Sequence, residues 1–184
     1  MAPDLVKARE WYEKAIAAGD QESSRALADL PWAPKRNAIR EAGESGRYAE
    51  ALTLQQDFAR EIEADEVRID GKPGERTAEA LRDVSWGADF ARDFPLALST
   101  SERAHSLAPK SLSPEIKHAH ALMFLDRIDE ARALYLAHRD ETIPEYYNKS
   151  WRRAIVDDFA EFRKAGLVRP LMDEIEAALA AKGS

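Results

Sequence analysis

At 184 residues, with 45% apolar and 33% charged side chains, the chain has the balance of one compact domain or one continuous repeat stack, far from that of a disordered segment. A formal net charge of −7, with no Lys/Arg run that outweighs its acidic neighbours, argues against nucleic acid as a partner. The lack of cysteine excludes disulfides, thiolate zinc sites and cysteine nucleophiles, and no apolar run approaches the ~20 residues of a membrane span or forms a signal-peptide core, so a cytoplasmic protein is expected.

Alanine, leucine, glutamate and arginine dominate while β-branched residues are sparse, which favours helix over strand throughout. In the first segment Leu5, Ala8, Tyr12, Ala15 and Ile16 share a helical face, and Gly19 is a natural stop. A shorter helix follows over "ESSRALADL", closed by Pro31. Pro34 opens the next, which runs to about Gly46, and "RYAEALTLQQDFAREIEADEVRI" keeps Ala51, Leu54, Phe58 and Ile62 in helical register. "DGKPGER", residues 70–76, is a loop, after which Thr77 is expected to cap a helix with the stripe Leu81, Val84, Ala88 and Ala91. Pro95 and Ser113-Pro114 mark two further starts, and "IDEARALYLAHRD" follows a short turn. "ETIPEYYNK" is a longer connection to the two closing helices, "SWRRAIVDDFAEFRKAG" and "RPLMDEIEAALAAK". No strand is expected.

Residues 78–111 laid over 112–145 match without a gap. Ser85 then meets Ala119, Ala88 meets Leu122, Ala97 meets Ala131 and Ser101 meets Tyr135, each 34 residues apart. "SGRYAEALTL" carries the same hinge in an earlier unit, its Ala51 lying 46 residues before Ala97, with the extra length absorbed by a prolonged helix and the loop. A 34-residue period of two helices with short turns resembles the tetratricopeptide repeat. "KAREWYEKAIAAGDQESSRALADL" is similar to a SEL-one-like repeat, and the closing helices resemble the tail that follows such repeats in some bacterial proteins.

The resemblance implies an all-α fold, a right-handed superhelical stack of antiparallel helix pairs (a TPR-like α-solenoid). It would be divided into 1–31 as a partial SEL-one-like pair, 32–145 as TPR-like repeats with the loop at 70–76, and 146–184 as capping helices. The helical pattern begins by Asp4 and the chain finishes in Gly183-Ser184, so a piece of a longer, multidomain chain is expected.

Arrays of this family bind partners on the concave face lined by first helices. Carried over by register, that face would present Arg36 and Arg40, then Arg82, Trp86, Asp89 and Phe90, then Ile116, His120, Met123 and Phe124. Rings supply contact area and arginines suit carboxylates, so the expected function is a non-catalytic scaffold that holds a peptide or protein segment. Trp86 and Phe90 have a second reading, packing against the next unit. An alternative function uses the same concavity as a natural or engineered small-molecule or catalytic pocket. There Lys117 would be an amine nucleophile and Asp89 and His120 would move protons, against the simpler reading of Lys117 as a solvated lysine. A third is a structural spacer or oligomerisation module.

No metal or other cofactor is expected. His118 and His120 point to different helical faces, His105 and His138 belong to different units, and no H-E-x-x-H spacing occurs. The adjacent pairs Asp157-Asp158 and Asp173-Glu174 read as solvated faces. Tyr146, Tyr147 and Trp151 read as a seal on the end of the stack.

Overall fold

The computed structural model describes residues 5–20, 23, 27, 30–144 and 148–181. Among these residues it holds nine α-helices, packed mainly against their neighbours in sequence. They fall into two compact units, Met1–Arg47 and Tyr48–Ser184. That division lies within the stretch 32–145.

The first unit contains α1 (Leu5–Ala17), a 3-10 turn (Leu30–Trp32) and α2 (Ala33–Glu44). The half-buried residues of α1 are Leu5, Ala8, Tyr12, Ala15 and Ile16, the face its periodicity marks, while Val6 and Trp11 stay exposed. Pro34 sits in the first turn of α2, where its missing N–H breaks no helical bond. Most of "ESSRALADL" lies outside the described residues.

The second unit runs α3 (Tyr48–Asp70), α4 (Glu75–Phe90), α5 (Phe94–Leu107), α6 (Ser113–Phe124) and α7 (Ile128–Ala137). A two-residue ladder of β1 (Thr142–Ile143) and β2 (Lys149–Ser150) precedes α8 (Trp151–Lys164) and α9 (Pro170–Ala180). All four residue pairs of the 34-residue register are buried: Ser85 with Ala119, Ala88 with Leu122, Ala97 with Ala131, and Ser101 with Tyr135. The turns repeat as well. Arg92 and Asp126, 34 residues apart, both take positive φ, at 63° and 61°. In each case the next N–H closes on the carbonyl five residues back, Asp93 to Ala88 at 2.8 Å and Arg127 to Leu122 at 2.9 Å. Gly46 and Gly166 end α2 and α8 in the same way. This left-handed closure satisfies carbonyls that a helix end leaves without partners and turns the chain back at once.

Two expectations fail locally. Thr77 does not cap α4, which begins at Glu75 with Gly74 as its N-cap. The Thr77 hydroxyl instead donates to Glu66 Oε2 at 2.6 Å. The Glu66 carboxylate also accepts the N–H groups of Gly74, Arg76 and Thr77, at 2.8, 3.1 and 3.0 Å. A buried glutamate on α3 thus performs the capping that a local side chain was expected to perform. The second failure is the antiparallel ladder, Thr142 opposite Ser150 and Ile143 opposite Lys149, inside a connection read as strandless. Ile143 is fully buried, and Trp151 N–H donates to Glu141 O at 2.9 Å, so the ladder fixes where α8 starts. Four residues of pairing are too few to leave a period-two signal.

The main core gathers Ile116, Leu122, Met123 and Phe124 of α6 and Tyr135 of α7. Trp151, Ile155, Phe159 and Phe162 of α8 and Leu171, Met172, Ile175 and Leu179 of α9 complete it. On α8 the buried set Trp151, Ala154, Ile155, Phe159 and Phe162 has the spacing of one helical stripe. The closing helices therefore supply much of the core of this unit.

Candidate functional site

Residues from α4, α6, α7 and α8 converge on one buried cluster of ionisable side chains walled by rings. Lys117 Nζ lies 2.7 Å from Asp158 Oδ2 and 3.9 Å from the centre of the Trp86 ring. Its side chain is 6% exposed and that of Asp158 19%. Lys117 is not the solvated lysine that the sequence also allowed. It is an ion-paired base resting on an aromatic face, which favours a cation electrostatically.

His120 is fully buried, with Nε2 3.0 Å from the same Asp158 oxygen and Nδ1 2.7 Å from the Tyr135 hydroxyl. A carboxylate can only accept, so we assign the ring proton to Nε2, leaving Nδ1 to accept from Tyr135 O–H. Burial lowers the His120 pKa to about 4, against the opposing pull of Asp158. The imidazole is neutral near pH 7. Burial alone would raise the Asp158 carboxyl, but the Lys117 ammonium and then the His120 hydrogen bond outweigh it and hold it below the usual carboxylate range. Burial pushes the Tyr135 hydroxyl well up.

Asp89 completes the cluster and is its anomaly. It is fully buried on α4, and neither carboxyl oxygen has a hydrogen-bond partner. Burial drives its pKa well above the ordinary value. The Lys117 charge offsets part of that, and the Asp158 charge adds to it. Burial thus favours the protonated form of Asp89, while the charge of the neighbouring Lys117 is engaged by a second carboxylate, Asp158.

Around these groups Phe162 of α8 occupies a cage of four rings. Its centre is 4.8 Å from Trp86, 5.2 Å from Phe90, 5.0 Å from Phe124 and 4.9 Å from His120. Phe159 lies 5.3 Å from Tyr135 and 5.9 Å from His120. The N-terminal end of α8 is fastened by Trp151, whose Nε1 donates to Tyr135 O at 2.8 Å and whose ring meets His138 at 5.0 Å.

Of the residues assigned to the concave face by register, Trp86, Asp89, Phe90, His120 and Phe124 meet in this cluster. Ile116 and Met123 are buried in the core beside it. Trp86 and Phe90 are half-buried. Arg82 is partly buried at the edge, 2.7 Å from Asp83 and 3.4 Å from Ser113 Oγ. Arg36 and Arg40 belong to α2 of the first unit. Both are exposed, and Arg40 pairs with Glu44 at 3.0 Å. Phe162 of α8 lies against Trp86 and Phe90, and Tyr48 of α3 meets Phe90 at 5.3 Å. Tyr146 and Tyr147 lie outside the described residues.

Sequence reasoning missed Asp158, Tyr135, Phe159 and Phe162. Asp158 needs a correction, because only its neighbour Asp157 is a surface acid, paired with Lys149 and Arg153. Adjacent helix positions point about 100° apart, so one acid of such a pair can face inward. The signal was present, since Asp158 falls on the stripe of Trp151, Ile155, Phe159 and Phe162. Asp173 and Glu174 do lie at the surface, ion-paired with Arg163 and Arg132.

Among the described residues no group of three His, Asp or Glu side chains is arranged to hold a metal ion, and no helix is long and apolar enough to cross a membrane. No family model matches the chain, and no curated protein and no solved structure shows significant similarity to it.

Proposed function

We propose that this protein is an interaction scaffold, a right-handed stack of antiparallel helix pairs of the tetratricopeptide type. Its first helices α4 and α6 form a face that binds a peptide or protein segment. The observation that carries the reading is the seating of α8: a helix of the chain itself lies against Trp86, Phe90 and Phe124 with its acid on Lys117. A surface that accepts one amphipathic helix by ring packing and a single charge pair has the chemistry of helix-in-groove recognition. The buried 34-residue register and the matching turns at Arg92 and Asp126 support the repeat architecture. A screen of the full chain against a random peptide library tests the function. Binders should be recovered, and Trp86→Ala should lose them while the protein keeps its helical circular dichroism. A screen without binders, or binders indifferent to Trp86, overturns it.

One observation favours a second reading, a small-molecule or catalytic site. Lys117, Asp89 and His120 gather in a single cluster, with an acid and a neutral imidazole beside an amine. Against it, an amine nucleophile must be neutral, and Asp158 holds the ammonium at 2.7 Å. Borohydride reduction in the presence of small aldehydes and ketones, followed by mass spectrometry, decides the matter. A stable adduct at Lys117 supports the reading, and an unmodified protein ends it.

A further inference from the structure

We propose that His138 is a pH-sensitive clasp, which joins the start of α6 to the root of the β1–β2 ladder while its ring carries two protons and gives up one of these ties when it loses one.

His138 is the C-cap residue of α7. Its Nε2 lies 2.8 Å from Oε2 of Glu115, an acid in the first turn of α6. Its Nδ1 lies 2.8 Å from Oε1 of Glu141, the residue before β1. A carboxylate only accepts hydrogen bonds, so each contact needs an N–H, and only the imidazolium has two. His120 shows the contrast. There one ring nitrogen meets a carboxylate and the other a tyrosine hydroxyl that can donate, so the neutral ring satisfies both.

The surroundings agree with a cation. The C-terminal end of a helix favours positive charge. From α8 the ring of Trp151 meets the imidazole at 5.0 Å and brings no charge. From α5, His105 Nδ1 stands 3.8 Å from the other oxygen of Glu115, too far for a hydrogen bond. Arg139 and Asp140, next in the chain, are engaged elsewhere, Arg139 with Ala181 O at 2.7 Å and Asp140 with Arg152. Burial alone would lower the His138 pKa, but the hydrogen bonds of Glu141 and Glu115 outweigh it and hold it above the ordinary 6.5.

When the ring loses a proton, one nitrogen turns a lone pair toward a carboxylate. Glu115 is 19% exposed at the side chain and Glu141 56%, so Glu141 is the partner that water takes over. The backbone of Glu141 is the root of the ladder. Its carbonyl accepts from Trp151 N–H at 2.9 Å, and its N–H donates to His138 O at 2.9 Å. Loss of the side-chain tie therefore loosens the turn at residues 138–141, while the buried face of α8 stays seated. Because the folded-state value is raised, the tie is complete below the unfolded pKa and is lost as pH rises through the folded one.

The test is a titration of the histidine ring nitrogens in the full chain by nuclear magnetic resonance, from about pH 5 to about pH 8. The His138 signals are assigned with H138Q or, should that variant not fold, through their proximity to the Trp151 ring. His138 should hold protons on both nitrogens at pH 6.5 and titrate above that value. E141Q, a change at an exposed side chain, should move the titration to lower pH. Below the titration the Trp151 amide should exchange roughly threefold more slowly in the parent chain than in E141Q, and above it the two should agree. A His138 that titrates at or below 6.5, or that is unmoved by E141Q, overturns the proposal. So does a difference in Trp151 exchange that is the same at every pH, which is the mark of a merely structural contact.

Discussion

The Lys117–Asp158 pair is costly to break halfway. With Lys117 6% and Asp158 19% exposed at the side chain, a charge that loses this partner regains little solvation from water. Lys117→Met should therefore destabilise the protein by about 3 kcal/mol in urea titration, while the double change with Asp158→Asn should recover part of that loss. Asp89 acts in the opposite sense. Its folded-state pKa is raised by burial, so its contribution is complete below the unfolded pKa and is lost as pH rises toward the folded value. Asp89→Asn should raise the urea midpoint at pH 8 and flatten the decline with rising pH expected of the parent chain. A steeper decline would contradict the assignment. The register carried over from the repeat resemblance marked ten residues, of which Trp86, Asp89, Phe90, His120 and Phe124 meet in the cluster; Trp86, Asp89 and Phe90 also stood out by falling off the packing stripe of α4. It could not show that Asp158 supplies the counter-charge, since the adjacent Asp157 makes the pair look like a solvated face. Nor could it show that Tyr135, aligned with Ser101 one period earlier, lends its hydroxyl to His120.

Among the elements, helices were legible where local signals agreed: a proline start and a glycine stop in α2, and an apolar stripe with a serine start and a glycine stop in α8. The α4 start was not, because its cap is Glu66, separated in sequence from Thr77 by the loop at residues 70–76. The ladder between β1 and β2 was hidden for want of length. The turns make a prediction of their own. Arg92 and Asp126 hold left-handed backbone that favours glycine, and the exposed Asp126 also lies 3.9 Å from Arg169, a contact too exposed to weigh much against that strain. Arg92→Gly and Asp126→Gly should each raise stability by about 0.5–1 kcal/mol in thermal or urea unfolding. Similar gains at both sites are expected from equivalent turns. A loss at either would show that the side chain there does more than tolerate the conformation.

For the whole molecule, the buried charges bound stability on the acid side as well. Burial pushes Glu66 up, but the Thr77 hydroxyl and three backbone N–H groups overcome it and hold it below its ordinary value, as Lys117 and His120 do for Asp158. Both carboxylates stabilise the fold fully above the unfolded carboxylate range, and that stability drains away as pH falls. Glu66→Gln should cost about 1–2 kcal/mol at pH 7 and progressively less as pH falls through the folded-state pKa, read from unfolding across the acid range. Together with Asp89 and His138, this predicts a stability maximum with a decline on each side, each assignable to named ionisable side chains.

The 14 residues of α8 have one further consequence. At 1.5 Å per residue it is about 21 Å long, enough to cross two helices packed at the usual 8–10 Å. Stacks of helix pairs ordinarily grow or shrink by whole repeats, because each unit meets only its neighbours. Here Phe162 touches Trp86 and Phe90 on α4 and Phe124 on α6. A further helix pair slipped between α4 and α6 would pull those rings out of common reach. The closing helix is thus a clasp that fixes how far apart α4 and α6 can stand.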